Sequence, residues 1–515
     1  MKLLLKLLIL LIWTINTHAD NAPFTHISSI NSLEKKVIDQ EVYTLWRETK
    51  GTVKKYLRPP IKSTYSLYNT QIYTHSLLKF SFRNNNYVLI DELLSIYLES
   101  LKSLKKGVKS YDFYGLNNPK KYSNNVPFTD KKGHKMWLTG KKHREDMLNI
   151  TQFLGLVSEA LLEVSKIPSN QRSVTMRTFI KQFSPLLDSH YTRWVVGMKV
   201  RNNKNKVVSV GPFSRAWASC PKQYTTLTAM DLVNHLISFT NKGDKSYCNA
   251  IQDKDLWVMA GVSNYLTAYR YNAKEVKKPK HTNLLQEYLR QSIQLLRLRL
   301  SYTKLIDFKR QRALGLSLDI GYWGGYPPFT YSGYTGDSFP STKDKKASEN
   351  LGWDLSHARR FLFVFETLYK NKDMLGLSFP TRDTMRLLSN QFLYGAFNKD
   401  FRYPLFSNYI NGSNGWFRVN QQKGTGYPPS SSGISVIGGG YGLYQNYNSD
   451  TNRVMTSLYN ILKSPQKDKQ NFVRMFYESY SFKNKKRSHS IRLLKSPDTL
   501  GKQKLLNFYS SLLIK

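Results

Sequence analysis

Acid is the commodity this chain has least of. Asp and Glu number 35 against 77 Lys and Arg in 515 residues, a formal net charge of +42. Only Lys2 and Lys6 of that excess lie in the first nineteen residues, so the charge belongs to the folded part. Such a field draws polyanions, whether acidic polysaccharide, lipopolysaccharide, anionic membrane or nucleic acid. Lys and Asn are abundant everywhere, so charge gives the sign of a partner and not its identity. Cysteine is scarcer still, with Cys220 and Cys248 as the whole complement. Two cysteines without histidines beside them argue against zinc. Beyond residue 19 no apolar run reaches the ~18 residues of a spanning helix. A phosphate loop, a dinucleotide fingerprint and HExxH are all missing, and no specific nucleic-acid motif is present. Gly438-Gly439-Gly440-Tyr441-Gly442 lacks the flanks of a nucleotide loop. The expectation is a chain with no metal and no cofactor.

What is present begins with an export signal. Residues 1–19 carry Lys2 and Lys6, an apolar run over 7–13 and Thr17-His18-Ala19 before Asp20, the pattern of a cleaved secretory peptide. The mature protein is expected to be periplasmic or secreted. In that compartment Cys220 and Cys248 read as a disulfide that stabilises by roughly 3 kcal/mol or more; two unconnected thiols are the alternative.

Helical periods separated by short polar breaks fill most of the remainder, predicting a mainly α protein. Helices are expected over 38–56, 65–80, 88–104, 144–164, 172–197, 223–240, 253–271, 284–307, 351–370 and 381–397. Less sharply marked ones lie near 452–463, 468–480 and 500–513. Residues 107–142 read as a long rim loop. Two further stretches, 308–350 and 398–450, are rich in Gly, Tyr, Pro and Ser and share a phrase: Gly325-Tyr326-Pro327-Pro328 and Gly426-Tyr427-Pro428-Pro429. Asn414-Gly415 before Trp416-Phe417-Arg418-Val419 suggests a small β-hairpin. One domain is expected over 20–480, with 308–350 and 398–450 as rim insertions and the basic 481–515 segment packed on it. The basic tracts 277–280 and 485–487 read as solvated turns.

The chain is organised around residues 351–370, LGWDLSHARRFLFVFETLYK. Its second half is apolar all round and must be buried all round. Its first half gathers Trp353, Asp354, His357, Arg359 and Arg360 at a helix start, where orphan N–H groups favour anions. Asp354 serves equally well as a simple N-cap.

About a dozen helices, export, aromatic loops and the phrase Trp353-Asp354-Leu355-Ser356-His357-Ala358-Arg359-Arg360 together resemble the (α/α) toroid carbohydrate-active proteins across roughly residues 30–480. The resemblance is one of organisation. It implies a polysaccharide lyase or glycoside hydrolase acting on an acidic polysaccharide. For a lyase, slightly favoured by the basic charge, His357, Asp354 and Tyr326 are the candidate catalytic residues. Arg359, Arg360, Trp323, Trp353, Tyr441 and Asn446 are the candidate substrate contacts, and His190, Tyr191 and Arg193 form an alternative site. His357 and Arg360, three apart, share a helix face. For a hydrolase, Asp319, Asp337 and Asp354 are the carboxylates to consider. A non-catalytic envelope or polyanion-binding protein would use the same aromatics and arginines without turnover. Tyr322, Tyr331, Tyr334 and Trp416 either extend an aromatic platform for sugar rings or pack the loops.

Overall fold

The structure is a computed structural model that describes residues 32–106, 134–138, 145–201, 207–213, 220, 227–239, 242, 245–335, 347–421, 425–483, 486–489 and 491–514. The export signal, Asp337 and most of 107–142 lie outside the described residues. The rest is mainly helical: α1 (Ser32–Leu57), α2 (Tyr65–Arg83), α3 (Tyr87–Glu99), α4 (Met147–Lys166), α5 (Val174–Tyr191), α6 (Ala229–Ser238), α7 (Asp253–Tyr271), α8 (Thr282–Arg299), α9 (Leu355–Leu375), α10 (Arg382–Asn390), α11 (Gly433–Ile437), α12 (Asp450–Lys463), α13 (Lys467–Val473) and α14 (Thr499–Leu512). Several expected helices end early in tighter or wider turns: α5, α10 and α13 run into π-turns at Thr192–Val196, Gln391–Ala396 and Arg474–Glu478.

Burial sorts these helices. α2, α4, α7 and α9 hide most of their surface, and α4, the one described helix apolar and long enough to cross a membrane, is mostly buried inside the protein. α2 packs on α4, α4 on α7 and α7 on α9. α9 touches α11 and the 3-10 turn Tyr441–Asn446, both of which touch α14, and α14 packs on α2. The remaining long helices back this set: α1 on α2 and α14, α3 on α2 and α5, α5 on α4, α8 on α7, and α10 on α9. As the sequence requires, residues 361–368 are all buried.

Two short antiparallel pairs, Lys105–Lys106 (β1) with Lys135–Met136 (β2) and Met198–Arg201 (β3) with Val207–Val210 (β4), come first along the chain; beyond them two sequence expectations are corrected. The helix over 284–307 stops at Arg299, and Leu300–Ile306 (β5) pairs antiparallel with Arg312–Leu318 (β6), Leu300 opposite Leu318 and Ile306 opposite Arg312. Tyr302, Thr303 and Ile306 favour a pleated strand over a helix, so the 308–350 stretch opens in regular structure. The hairpin is also displaced. Phe417–Gln421 (β7) pairs with Thr425–Tyr427 (β8), so the chain reverses after Gln421 and not at Asn414-Gly415. Gly415 has another use: a Cβ there would come within 1.9 Å of Ser332 O, so its bareness lets the two Gly/Tyr/Pro stretches meet backbone to backbone. Trp416 N–H donates to Tyr334 O at 3.2 Å across the same seam. β8 continues into Ser479–Lys483 (β9) and Lys486–His489 (β10), closing a four-stranded antiparallel sheet.

Cys220 and Cys248 are joined, Cα to Cα 5.7 Å, closing a loop of sequence separation 28. Opening that loop by Cys248→Ser is expected to lower stability by about 3–4 kcal/mol, read as a lower denaturant midpoint with a steeper slope, since the unfolded chain is no longer held compact by the cross-link.

A polar chain runs through the helical core. Lys79 of α2 pairs with Glu159 of α4 and, at 3.0 Å, with Glu366 of α9. Glu159 meets His75 Nε2 at 2.7 Å, and Gln71 Nε2 lies 2.7 Å from His75 Nδ1. Gln152 donates to Gln71 Oε1 at 2.7 Å and accepts from Trp257 Nε1 at 3.1 Å and Arg360 Nη2 at 3.4 Å. Since buried polar groups are costly unless satisfied, this chain ties α2, α4, α7 and α9 into one register.

Candidate active site

The mouth of α9 opens on a cleft of ≈ 290 Å³ whose wall includes Tyr65, Asp146, Asp253, Lys254, Trp323, Tyr326, Phe329, Trp353, Asp354, His357 and Arg418. Both Gly/Tyr/Pro stretches build it. Leu355 N–H donates to Asn408 O and Ile410 N–H to Trp353 O at 2.8 Å, pinning the start of α9 beneath residues 408–410. Trp323 crosses Trp353 edge-on at 5.6 Å and Tyr326 at 5.3 Å, and Tyr326 stands edge-on to Phe329 at 5.0 Å. These rings pack on one another and present an apolar wall to the cleft. Tyr331 and Trp416 belong to a separate buried cluster.

Asp354 occupies the N-cap position of α9 but makes no side-chain cap bond. Its carboxylate turns to His357 instead: Oδ2 is 2.7 Å and Oδ1 2.9 Å from Nδ1, and the Ser356 hydroxyl donates to Oδ1. Burial alone would raise the Asp354 pKa, but His357, Arg418 and Ser356 outweigh it and hold the carboxyl down to about 2. An ionised acceptor at Nδ1 places the imidazole proton there. The opposite nitrogen, Nε2, lies 3.4 Å from Arg418 Nη2, which can only donate. Both neighbours therefore select the tautomer with a lone pair on Nε2. His357 keeps a quarter of its side chain exposed, and Nε2 is 4.0 Å from Asp253 Oδ2.

Arg418 sits on β7 with φ +57, a conformation that costs a non-glycine residue of order 1 kcal/mol or more and is tolerated where the surroundings over-determine it. Its guanidinium lies 4.8 Å from the Phe417 ring centroid, facing His357. Sequence reasoning missed Arg418, Asp253, Asp146 and Lys254. Asp253 stands in the first turn of α7, where an acid ordinarily answers the helix dipole, and nothing local distinguishes Arg418 from the chain's other cations.

The remaining sequence candidates disperse. Arg360 does not reach the cleft wall as a free cation: Nη2 pairs with Asp253 at 3.0 Å and donates to Tyr68 OH at 3.0 Å, and Nη1 donates to Ser356 O at 2.7 Å. Arg359 is buried and is not part of the cleft wall. Tyr441 is buried and donates to Leu355 O at 2.7 Å, and Asn446 offers its backbone carbonyl to Arg382. His190, Tyr191 and Arg193 are sealed in the core. There Arg193 grips Glu145 with two bonds of 2.5 and 2.6 Å, and burial with Arg193 pushes His190 down to about 4. Asp319 is equally closed, paired with Arg299 at 3.0 Å and accepting from Ile251 N–H. Tyr326 does line the cleft, and burial pushes its hydroxyl up to about 12 although Arg418 opposes this. Among the described residues no group of three or more His, Cys, Asp or Glu is placed to hold a metal ion.

Fold and site define a mainly helical protein with an aspartate-anchored histidine and an arginine at the base of an aromatic cleft. No protein-family model, curated protein or solved structure matches the chain.

Proposed function

We propose that the protein is an exported enzyme that cleaves an acidic polysaccharide by β-elimination, built as an (α/α) toroid with the cleft on one rim. The succession of contacts from α2 through α4, α7, α9, α11 and α14 back to α2 supports the toroid. Export is supported by the signal pattern in residues 1–19 and by the disulfide.

One observation carries the chemical reading: His357 Nε2 faces the cleft with its lone pair beside the Arg418 guanidinium. Elimination from a uronate requires that its carboxylate be neutralised, so that the proton on the adjacent carbon becomes removable, and that a base stand beside that carbon. Arg418 supplies the first and His357 Nε2 the second. The C5–H bond breaks toward Nε2, its electron pair forms the C4–C5 double bond, and the C4–O4 bond breaks. The leaving O4 takes a proton from Tyr326, which its raised pKa keeps protonated. The Trp323, Trp353 and Phe329 wall offers apolar faces to sugar C–H surfaces. Hydrolysis is less well served, because Asp354 is committed to His357 and Asp253 to Arg360.

Incubating the mature protein with a panel of uronate polymers should give the ultraviolet absorbance of an unsaturated product. Reducing ends without that absorbance would mean hydrolysis, and silence across the panel would leave a polyanion-binding protein. On the responsive polymer, Arg418→Lys keeps the charge but loses the planar fork. It is expected to raise KM by roughly tenfold or more, the worth of one charge-assisted bond, an effect that should vanish on a methyl-esterified substrate.

A further inference from the structure

The large apolar side chains that the helices leave in the open stand alone or in pairs, as ordinary surfaces show. The β5–β6 hairpin is different. Tyr302 is 70% exposed, Leu314 47% and Ile306 45%, and no other described helix or strand pair exposes as many. Their register puts them together. Residues directly opposite in an antiparallel pair share a face, and Lys304 stands opposite Leu314 and Ile306 opposite Arg312. Along β5 the exposed Tyr302, Lys304 and Ile306 alternate with the half-buried Ser301, Thr303 and Leu305. One face therefore carries Tyr302, Lys304, Ile306, Arg312 and Leu314, all exposed; Leu316, opposite Tyr302, is covered. The reverse face is already committed. A Cβ on Gly315 would fall 2.5 Å from both Leu305 Cδ1 and Gln391 Oε1, and Asn390 Nδ2 donates to Leu314 O at 2.8 Å. The hairpin thus lies flat on α10 and the π-turn Gln391–Ala396 and turns its other side outward.

The charge on that outer side has one sign. Lys304 and Arg312 have no ion-pair partner among the described residues, and Lys309 and Arg310 are exposed at the turn. Lys399 donates to Ile306 O at 2.9 Å, adding a cation beside the tip. Asp307 is the one acid between residues 300 and 318. Its Oδ1 accepts from Lys309 and Gln311 N–H at 2.8 Å each, which ties it into the turn. A partner for this face must be anionic and must also take up aliphatic side chains. An acidic polysaccharide answers the cations but offers little to Ile306 and Leu314. A protein interface ordinarily takes roughly 20–30 residues a side, far more than this narrow face supplies. An anionic bilayer meets both conditions: phosphates for the cations, the headgroup level for the Tyr302 ring, and acyl chains for Ile306 and Leu314. We infer that the outer face of the β5–β6 hairpin docks the protein on an anionic phospholipid bilayer. None of its residues belongs to the cleft wall, so docking and cleft chemistry are separable by substitution.

The test uses the full mature protein and needs no turnover, so it stands or falls apart from the cleft reading. The protein is co-sedimented with vesicles of phosphatidylglycerol mixed with phosphatidylcholine, and with vesicles of phosphatidylcholine alone; binding is expected to the first and not to the second. Because the whole chain is basic, two comparisons separate this face from bulk charge. Tyr302→Ser, Ile306→Ser and Leu314→Ser together leave the net charge unchanged and are expected to weaken binding by on the order of a hundredfold, through the apolar area withdrawn. Lys304→Glu with Arg312→Glu is set against Lys277→Glu with Lys278→Glu, an equal charge change in an exposed turn. At about fivefold per cation held at an anionic surface, the hairpin pair should lose about 25-fold or more and the turn pair far less. A polarity-sensitive dye carried at Leu314→Cys should shift to the blue on the mixed vesicles, whereas the same dye at Lys278→Cys should not; the native cysteines are closed in their disulfide. Since it needs only one exposed position at a time, the dye also covers a multiple variant that does not fold. Equal losses in the two charge pairs, undiminished binding by the folded serine variant, or a dye at Leu314 that stays in water would each overturn the inference. So would no binding to the mixed vesicles, or capture of soluble polygalacturonate that the hairpin variants lose while they keep the vesicles.

Discussion

His357→Ala is expected to cut turnover on the responsive uronate polymer by about 10²–10⁴-fold, the usual worth of a positioned general base, while the thermal midpoint stays near wild type. The imidazole is a quarter exposed and carries little packing, so its removal should not loosen α9. Asp354→Asn is the sharper partner variant. The carboxylate makes no cap bond to α9, so nothing in the helix depends on its charge. An amide can present its NH2 to Nδ1, which would then carry the lone pair and leave Nε2 protonated, the wrong tautomer for a base. A loss on the order of 10²-fold or more at unchanged stability is therefore expected, by analogy with the role of the buried carboxylate in a hydrolase triad. Both variants at wild-type turnover would place the chemistry elsewhere.

Lys79→Ala should be the most destabilising single change to the polar core, by about 3–5 kcal/mol, because it removes the buried cation that two buried carboxylates share. Its pH dependence is the diagnostic part. Burial alone would raise Glu366, but Lys370 and Lys79 bring it down to about 2 from an ordinary value of 4.5, and Lys79 with His75 hold Glu159 further down. A depressed carboxyl contributes stability that is present above its unfolded value and lost as pH falls through the folded one. Burial keeps His75 neutral below its usual 6.5, which acts in the same direction, since the unfolded chain then binds more protons. The wild type should therefore lose stability steadily as pH falls from about 6.5 toward 2. In Lys79→Ala Glu366 keeps only Lys370 and Glu159 only His75, so both carboxyls are held down less and the deficit should be largest at neutral pH and shrink in acid. A deficit independent of pH would mean that the lysine matters for packing alone.

Much of this protein is legible along the chain because it rests on local periodicity. The run Phe361-Leu362-Phe363-Val364-Phe365 has no polar face, so its burial follows from sequence. Asp354 and His357, three apart at a helix start, meet because helical spacing alone brings them together. Trp323 and Tyr326 stand out in a stretch too aromatic to be solvent-exposed. The same reasoning misplaces Arg360. Helical spacing does put it near His357, but only the packing of α7 against α9 supplies Asp253, which claims the guanidinium. It also misreads residues 300–306, where helix and strand periods compete over a short run and pairing with residues 312–318 decides.

Sequence alone therefore determined the helical class, the buried half of α9, the histidine–aspartate pair and the aromatic character of the stretch around Trp323, all of which depend on neighbours within one or two turns. Tertiary structure decided what those groups can do. Arg418 lies 61 residues from His357 and reaches Nε2 because a strained strand residue on the second Gly/Tyr/Pro stretch folds over the first. Asp253 arrives from another helix altogether. Such contacts depend on how distant elements pack, and no local pattern of charge or hydropathy encodes that.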